Sequence, residues 1–251
     1  MSHAAVIIPV YKNELSEYEI ISLKQCVKVL SNHSLFFVSP SELDLSVIPL
    51  NKDFRIERFN KEYFNGLRGY NRLMLSEEFY KRFSSYEYLL IYQLDAFVFS
   101  DQLNFWTEKD YDYIGAPWIR ETKRIFLNLL VKQSLALALD TFIKHNLTKA
   151  VGNGGFSLRK VESFLSALSQ NKTLAENWKA NEDYFWALAA KLNGSPLKIP
   201  AYKEAALFAF EMYPSKLYKV NNNTLPFGAH AWNKYETDFY RPHFAKFGYG
   251  I

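Results

Sequence analysis

The chain has 251 residues, a formal net charge of +4, 49% apolar and 17% aromatic residues, and one cysteine, Cys26. That length suits one large α/β domain or two small ones, with apolar material for a substantial core. A single cysteine excludes an intrachain disulfide framework and a cysteine-based zinc site, and so mild a positive charge favours anionic ligands or an anionic membrane surface without arguing for nucleic acid.

The opening MSHAAVIIPVY has no basic segment followed by a long apolar one, so no signal peptide is expected. No run reaches the length of a transmembrane helix, and a reducing, cytoplasmic compartment is the default expectation. Ala4–Val10 reads as a first buried strand. A helix follows from about Ser16 to Leu30, with Ile20, Ile21, Leu23, Val27 and Leu30 as its apolar stripe. Ser16 and Glu19 have the spacing of a capping box. Ser34–Val38 reads as a second strand and Phe54–Phe59 as an edge strand of alternating polarity. Strand, helix, strand at this spacing predicts a βαβ unit.

From about Leu67 to Phe83 the pattern is helical. Tyr86–Ser100, YEYLLIYQLDAFVFS, is the stretch around which the chain is organised, and Tyr86–Phe99 reads as its strand. Tyr88–Tyr92 is unbroken apolar and aromatic, as in a strand covered on both faces. Gln93 and Asp95 interrupt it. A carboxylate in such a run is costly to bury unless it is paired, hydrogen-bonded or on a metal. Ligands of parallel sheets sit at the carboxyl ends of strands, so a strand ending near Tyr92 puts Asp95 at a ligand position.

Tyr111–Trp118 reads as a short strand running into a turn. Arg120–His145 is a long helical segment with a basic first half. It fits an ordinary amphipathic helix on the core better than a helix pair, a membrane-surface element or a dimer contact. Val151–Arg159, VGNGGFSLR, has three glycines in four residues, which suits close backbone approach or a tight turn. Val161–Ser169 is helical, and Asn181-Glu182-Asp183 opens a second helix to about Leu192. Its two acids alone complement a helix dipole. Ile199–Phe210 contains an alternating, strand-like piece, and PFGAHAW (226–232) follows near the C-terminus.

The ordered set YQLDAFVF, GNGGFSLR, NEDYFW and PFGAHAW resembles the GT-A glycosyltransferases, which act on nucleotide sugars. It is most similar to an uncharacterised bacterial branch found with surface-polysaccharide genes. The resemblance spans about Ala4 to Trp232. It implies an α/β fold with a Rossmann-like, mostly parallel central sheet flanked by helices. It implies one domain over 1–251 with a helical insertion at about 120–147.

The resemblance also implies roles. Pro9, Val10 and Tyr11 match the loop that holds nucleobase and ribose. Arg72 and Gln93 join them on the donor. Asp95 matches the last aspartate of the Asp-x-Asp motif, which binds a divalent cation, Mn²⁺ or Mg²⁺, on the donor diphosphate. Gln93 stands where the first acid would be, so a metal-independent variant is an alternative, with Arg68, Arg72 or Lys234 supplying charge. His230 matches a late metal ligand. Gly154, Gly155, Phe156 and Trp186 match the sugar and acceptor wall. Asp183, with Glu182 beside it, matches the acidic pair that supplies the catalytic base of inverting members. A positioned carboxylate is what transfer to an acceptor hydroxyl requires. The implied partners are a nucleotide-sugar donor and a glycan or lipid-linked glycan acceptor, with peripheral membrane contact and no nucleic acid. Two other readings stand beside this one. One is a non-catalytic glycan- or nucleotide-binding module on a degenerate transferase fold, and the other is a nucleotidyltransferase, which Gln93 disfavours.

Overall fold

In a computed structural model, residues 2–48, 54–118, 150–189 and 196–251 are described. The apolar runs become strands β1 (Ser2–Pro9), β2 (Ser34–Pro40) and β4 (Tyr86–Tyr92), with β3 (Arg55–Phe59) at one edge. These four are mutually parallel. The other edge is antiparallel: β7 (Phe156–Lys160) pairs with β4, and β6 (Tyr113–Ile114) pairs with β7. The strand order is β3-β2-β1-β4-β7-β6, so the expected α/β class with a mostly parallel central sheet is found.

Both faces are covered because the strands are apolar on both. Val6, Ile8, Leu90 and Tyr92 pack toward helix α1 (Glu17–Leu30), through Leu23, Cys26 and Leu30. Ala5, Ile7, Leu89 and Ile91 pack toward α2 (Gly66–Met74), α3 (Glu77–Arg82) and, further along, α5 (Val161–Gln170). The capping box forms in both halves: the Glu19 amide donates to Ser16 Oγ (3.4 Å), and the Ser16 amide donates to Glu19 Oε2 (2.7 Å).

Three expectations are corrected. The helix read from Leu67 to Phe83 is two helices, broken where Ser76 turns out of helical geometry and caps α3 through the Phe79 amide. The strand read through Phe99 ends at Tyr92; β5 (Ala96–Val98) begins after a turn closed by the Ala96 amide on the Gln93 carbonyl (2.9 Å). Ile199–Phe210 is mostly helix α8 (Tyr202–Phe208), with only Ala209–Phe210 as strand β8. Ala205, Ala206 and Phe208 are buried there on helical spacing, and the apparent alternation has no ladder to join.

Sequence patterning did not single out α4 (Leu103–Glu108), α6 (Lys172–Glu176), α9 (Pro214–Val220) or α10 (Thr237–Ala245). The acidic helix start is the short α7 (Glu182–Tyr184), continued by a π-helical turn over Phe185–Ala189. A second, small sheet runs β5-β9-β8, with β9 at Gly228–His230. Helix α10 covers it through Phe244, which stacks on Phe97 at 3.8 Å. The expected insertion at about 120–147, and with it the membrane-contact reading, lies outside the described residues. Among the described residues no helix is long and apolar enough to cross a membrane.

Candidate active site

Chain order runs from β1 to β2 on one side of the sheet, while β4 flanks β1 on the other. The carboxyl ends of β1 and β4 therefore form a topological switch point, where open α/β sheets leave a crevice. A cleft of about 630 Å³ lies there. The end of β1 supplies Pro9, the loop after it Tyr11 and Lys12, and the start of α2 supplies Leu67 and Tyr70. The turn after β4 supplies Gln93 and Asp95, and the segment after β9 supplies Lys234. Tyr11 and Leu67 are 59% and 63% exposed, apolar surface left open at its mouth. The Tyr70 hydroxyl is buried beside Gln93, and burial holds its pKa above the usual value.

Strand register explains why Asp95 and His230 meet. In the β5–β9 ladder Ala96 faces His230, which puts Asp95 at the imidazole. Phe210 of β8 faces Ala229, which brings Glu211 to the other side of the same ring. His230 Nε2 lies 3.1 Å from Asp95 Oδ1 and 3.3 Å from Gln93 Oε1; Nδ1 lies 3.2 Å from Glu211 Oε1. Lys234 Nζ donates to Asp95 Oδ2 at 2.6 Å.

The charges follow from this geometry. Burial favours the neutral form of Asp95, but His230 and Lys234 outweigh it and hold the carboxyl well below its usual range. Burial likewise pulls His230 down, while Asp95 and Glu211 push it up to about 10. The imidazole is thus a cation between two carboxylates.

The acidic pair divides. Glu182 is 2% exposed and meets the fully buried Arg159 of β7 at 2.8 Å. Arg159 also donates to Ser157 Oγ and Tyr80 Oη. Glu182 Oε2 has no hydrogen-bond partner among the described residues. Asp183 is partly buried and accepts from the Tyr184 amide (2.9 Å). Burial first, then the charges of Glu182 and Glu211, raise its carboxyl to about 7. A carboxylate balanced near neutrality is suited to take a proton from a hydroxyl.

The glycine-rich turn approaches protein atoms. A methyl group at Gly154 would strike the Glu182 carboxylate, and one at Gly155 would strike the His230 ring. Asn153, at φ 100°, turns the chain and accepts the Gly155 amide on its side-chain oxygen (2.8 Å). The turn is therefore the spacer that lets the acidic helix, β7 and β9 close on one another.

Pro9, Tyr11, Gln93 and Asp95 all line the cleft. Val10 does not: it is fully buried, its amide on the Val38 carbonyl. Arg72 is turned away, donating to the Glu62 carbonyl and lining a separate groove with Tyr63 and Ser76. Arg68 is exposed on α2, outside the cleft lining. Phe156 and Trp186 are fully buried, Phe156 against Tyr92 and Phe227, Trp186 against Phe164, so neither ring walls an opening. Sequence reasoning missed Lys12, Tyr70, Arg159 and Glu211. An arginine inside the apolar FSLR run and an acid directly after the buried Ala209-Phe210 were the available signals.

Asp95 and His230 come together as an ion pair, not as an open ligand set. Both Asp95 oxygens and both His230 nitrogens are engaged by protein groups, and one of them is the Lys234 ammonium. Among the described residues no group of three or more His, Cys, Asp or Glu is arranged to hold a metal ion. The residues as placed do not fit a resident Mn²⁺ or Mg²⁺, which need several oxygen ligands.

Comparison with solved structures bears on the fold alone, which is that of the GT-A glycosyltransferases. Core-mannan synthase A (CmsA/Ktr4) from Aspergillus fumigatus, in its Mn/GDP form, has a TM-score of 0.54 at 12% identity, over 81% of this chain and 73% of that one. The galactosyltransferase LgtC, in complex with donor and acceptor sugar analogues, scores 0.51 at 14% identity, over 90% and 86%. Mouse xyloside xylosyltransferase 1 scores 0.54 at 12% identity, over 91% and 97%. The chain itself belongs to the DUF5672 family of proteins of unknown function, whose profile matches residues 53–230. No curated protein matches it significantly.

Proposed function

We infer that the chain is a glycosyltransferase that moves a sugar from a nucleotide donor to a hydroxyl of a glycan or lipid-linked glycan, with inversion and with Asp183 as general base. The observation that carries this reading is the switch-point cleft, with exposed Tyr11 at its mouth and Asp95, Gln93 and Lys234 in its lining. Asp183, raised to about 7, is not a lining residue and is tied to the cleft through the charge of Glu211, which pairs with His230 behind Asp95. Tyr11 and Pro9 offer a surface for the base, and the ammonium groups of Lys12 and Lys234 offer charge for the diphosphate. In the transfer, the acceptor oxygen bonds the anomeric carbon as the bond from that carbon to the diphosphate oxygen breaks. The electron pair leaves with the nucleoside diphosphate, and the acceptor proton passes to Asp183. General-base help of this kind contributes about 10²–10⁴-fold.

The test is a thermal-shift screen of UDP, GDP, CMP, dTDP and their sugars, followed by nucleotide release from whichever donor binds. A ligand that prefers the native state raises the melting point by mass action. Asp183→Asn is expected to keep donor binding and lose kcat by about 10²-fold or more. Full turnover by that variant would remove Asp183 from the base role, and a product of retained configuration would remove inversion. Gln93, in place of an acid, favours a second reading, a non-catalytic binder on the same fold. That reading predicts a thermal shift with no release of nucleotide.

A further inference from the structure

The cleft has a cation of its own at the position where the resemblance implies a metal. Lys234 Nζ sits 2.6 Å from Asp95 Oδ2, and the Lys234 side chain remains 61% exposed. Asp95 is held from behind by His230, and His230 by Glu211. An ammonium has three N–H donors, and one is spent on Asp95. The remaining two are free to meet phosphate oxygens. A second lining lysine repeats the device: Lys12 Nζ lies 2.8 Å from Glu19 Oε2, and Glu19 is itself fixed by the Ser16 capping box. Both pairs line the cleft. Each lysine is therefore preset by a carboxylate that is anchored elsewhere, and the two come from loops more than two hundred residues apart in sequence.

Resting on the glycosyltransferase reading, the geometry points to a metal-independent diphosphate site: Lys234, seated on the Asp95–His230–Glu211 chain, and Lys12, seated on Glu19, hold the donor diphosphate and neutralise the charge it gains on leaving. Gln93 fits such a site. A second aspartate there would bring a further negative charge beside the phosphate with no divalent cation to offset it, whereas an amide donates or accepts without charge.

The experiment is isothermal titration of nucleoside diphosphates into protein stripped with EDTA, repeated in Mn²⁺ and in Mg²⁺, with Mn²⁺ alone as a further arm. The expected result is a nucleotide Kd that changes by less than about threefold between EDTA and Mn²⁺, and no saturable binding of Mn²⁺ alone. Lys234→Met, at an exposed side chain, is expected to weaken nucleotide binding about 10- to 100-fold, as loss of a charge-assisted hydrogen bond does. Lys234→Arg is expected to retain most of it. Binding that disappears in EDTA and returns with Mn²⁺ would overturn this inference and leave the glycosyltransferase reading standing. So would unchanged affinity in Lys234→Met. Failure of every nucleotide to bind, with or without metal, would overturn that reading and this inference with it.

Discussion

Asp183 gives the sharpest quantitative test, because its raised carboxyl costs stability at the pH where it would act. Burial with Glu182 and Glu211 nearby moves its titration from 3.8 to about 7, against the partial help of Arg159 and the Tyr184 amide. A carboxyl raised in the folded state binds its proton more tightly there than in the unfolded chain. Its contribution is fully present below the unfolded value and is lost as pH rises through the folded one. Ionised in both states, the group costs the fold at most about 4 kcal/mol, at about 1.4 kcal/mol per pH unit of separation. Asp183→Asn keeps an acceptor for the Tyr184 amide and removes the charge. The variant is expected to match the wild type near pH 4 and to exceed it above pH 8. For a chain of this size each kcal/mol moves Tm by about 2–4 °C, and partial solvent access trims the ceiling, so a gain of about 4 °C at pH 8 is the working figure. Differential scanning fluorimetry from pH 4 to 9 on both proteins reads it. An offset between the curves that stays constant with pH, or a wild type more stable at pH 8, would refute the reasoning.

Three further outcomes follow from the geometry. Arg159→Met leaves Glu182 buried without its partner and is expected to cost about 3–5 kcal/mol in denaturant unfolding, with Arg159→Met/Glu182→Gln recovering a large part; a single variant as stable as wild type would mean that the pair does not hold α7 to β7. Gly155→Ala drives a methyl group into the His230 ring and is expected to cost about 1–3 kcal/mol together with most nucleotide affinity, whereas Gly250→Ala, with open space around it, is expected to change neither. Tyr11→Ala, at a 59% exposed ring, is expected to leave Tm within about 1 °C while weakening nucleotide binding about fivefold, the worth of roughly 1 kcal/mol of base stacking; equal affinity in titration calorimetry would remove Tyr11 from the base site.

The parallel part of the central sheet was legible, because β1, β2 and β4 are apolar on both faces; β7 was not, since its residues follow three glycines and read as a turn. The small sheet was not. Strands of two or three residues carry no periodicity, and β8 hides behind the helical Ala205, Ala206 and Phe208. Asp95 and His230 were each visible as polar interruptions, but their contact is a consequence of the Ala96–His230 register, which no local pattern encodes. Aromatic residues misled for a related reason: Phe156 and Trp186 stand beside glycines and acids in sequence, yet a strand or helix sends neighbouring side chains to different faces. The buried Arg159–Glu182 pair turns half of the acidic motif into a structural clamp, a division that only packing reveals.

The pairing of β5 with β9 also bears on the order in which the molecule forms. Gln93 and His230 meet across 137 residues of chain, and Asp95 and Lys234 across 139. Closing loops of that length is slow compared with forming a helix or a neighbouring strand pair. During synthesis the β1–β4 core, with Lys12, is able to assemble well before His230 and Lys234 have been made, so the cleft acquires its floor and one lysine early and its second lysine last. A nascent or C-terminally clipped chain would then keep a folded sheet and Lys12 yet lack Lys234, the other half of the proposed diphosphate grip. If the proposed donor site holds, nucleotide binding becomes a reporter of completed folding, and a binder selected against the finished cleft would separate whole molecules from partial ones.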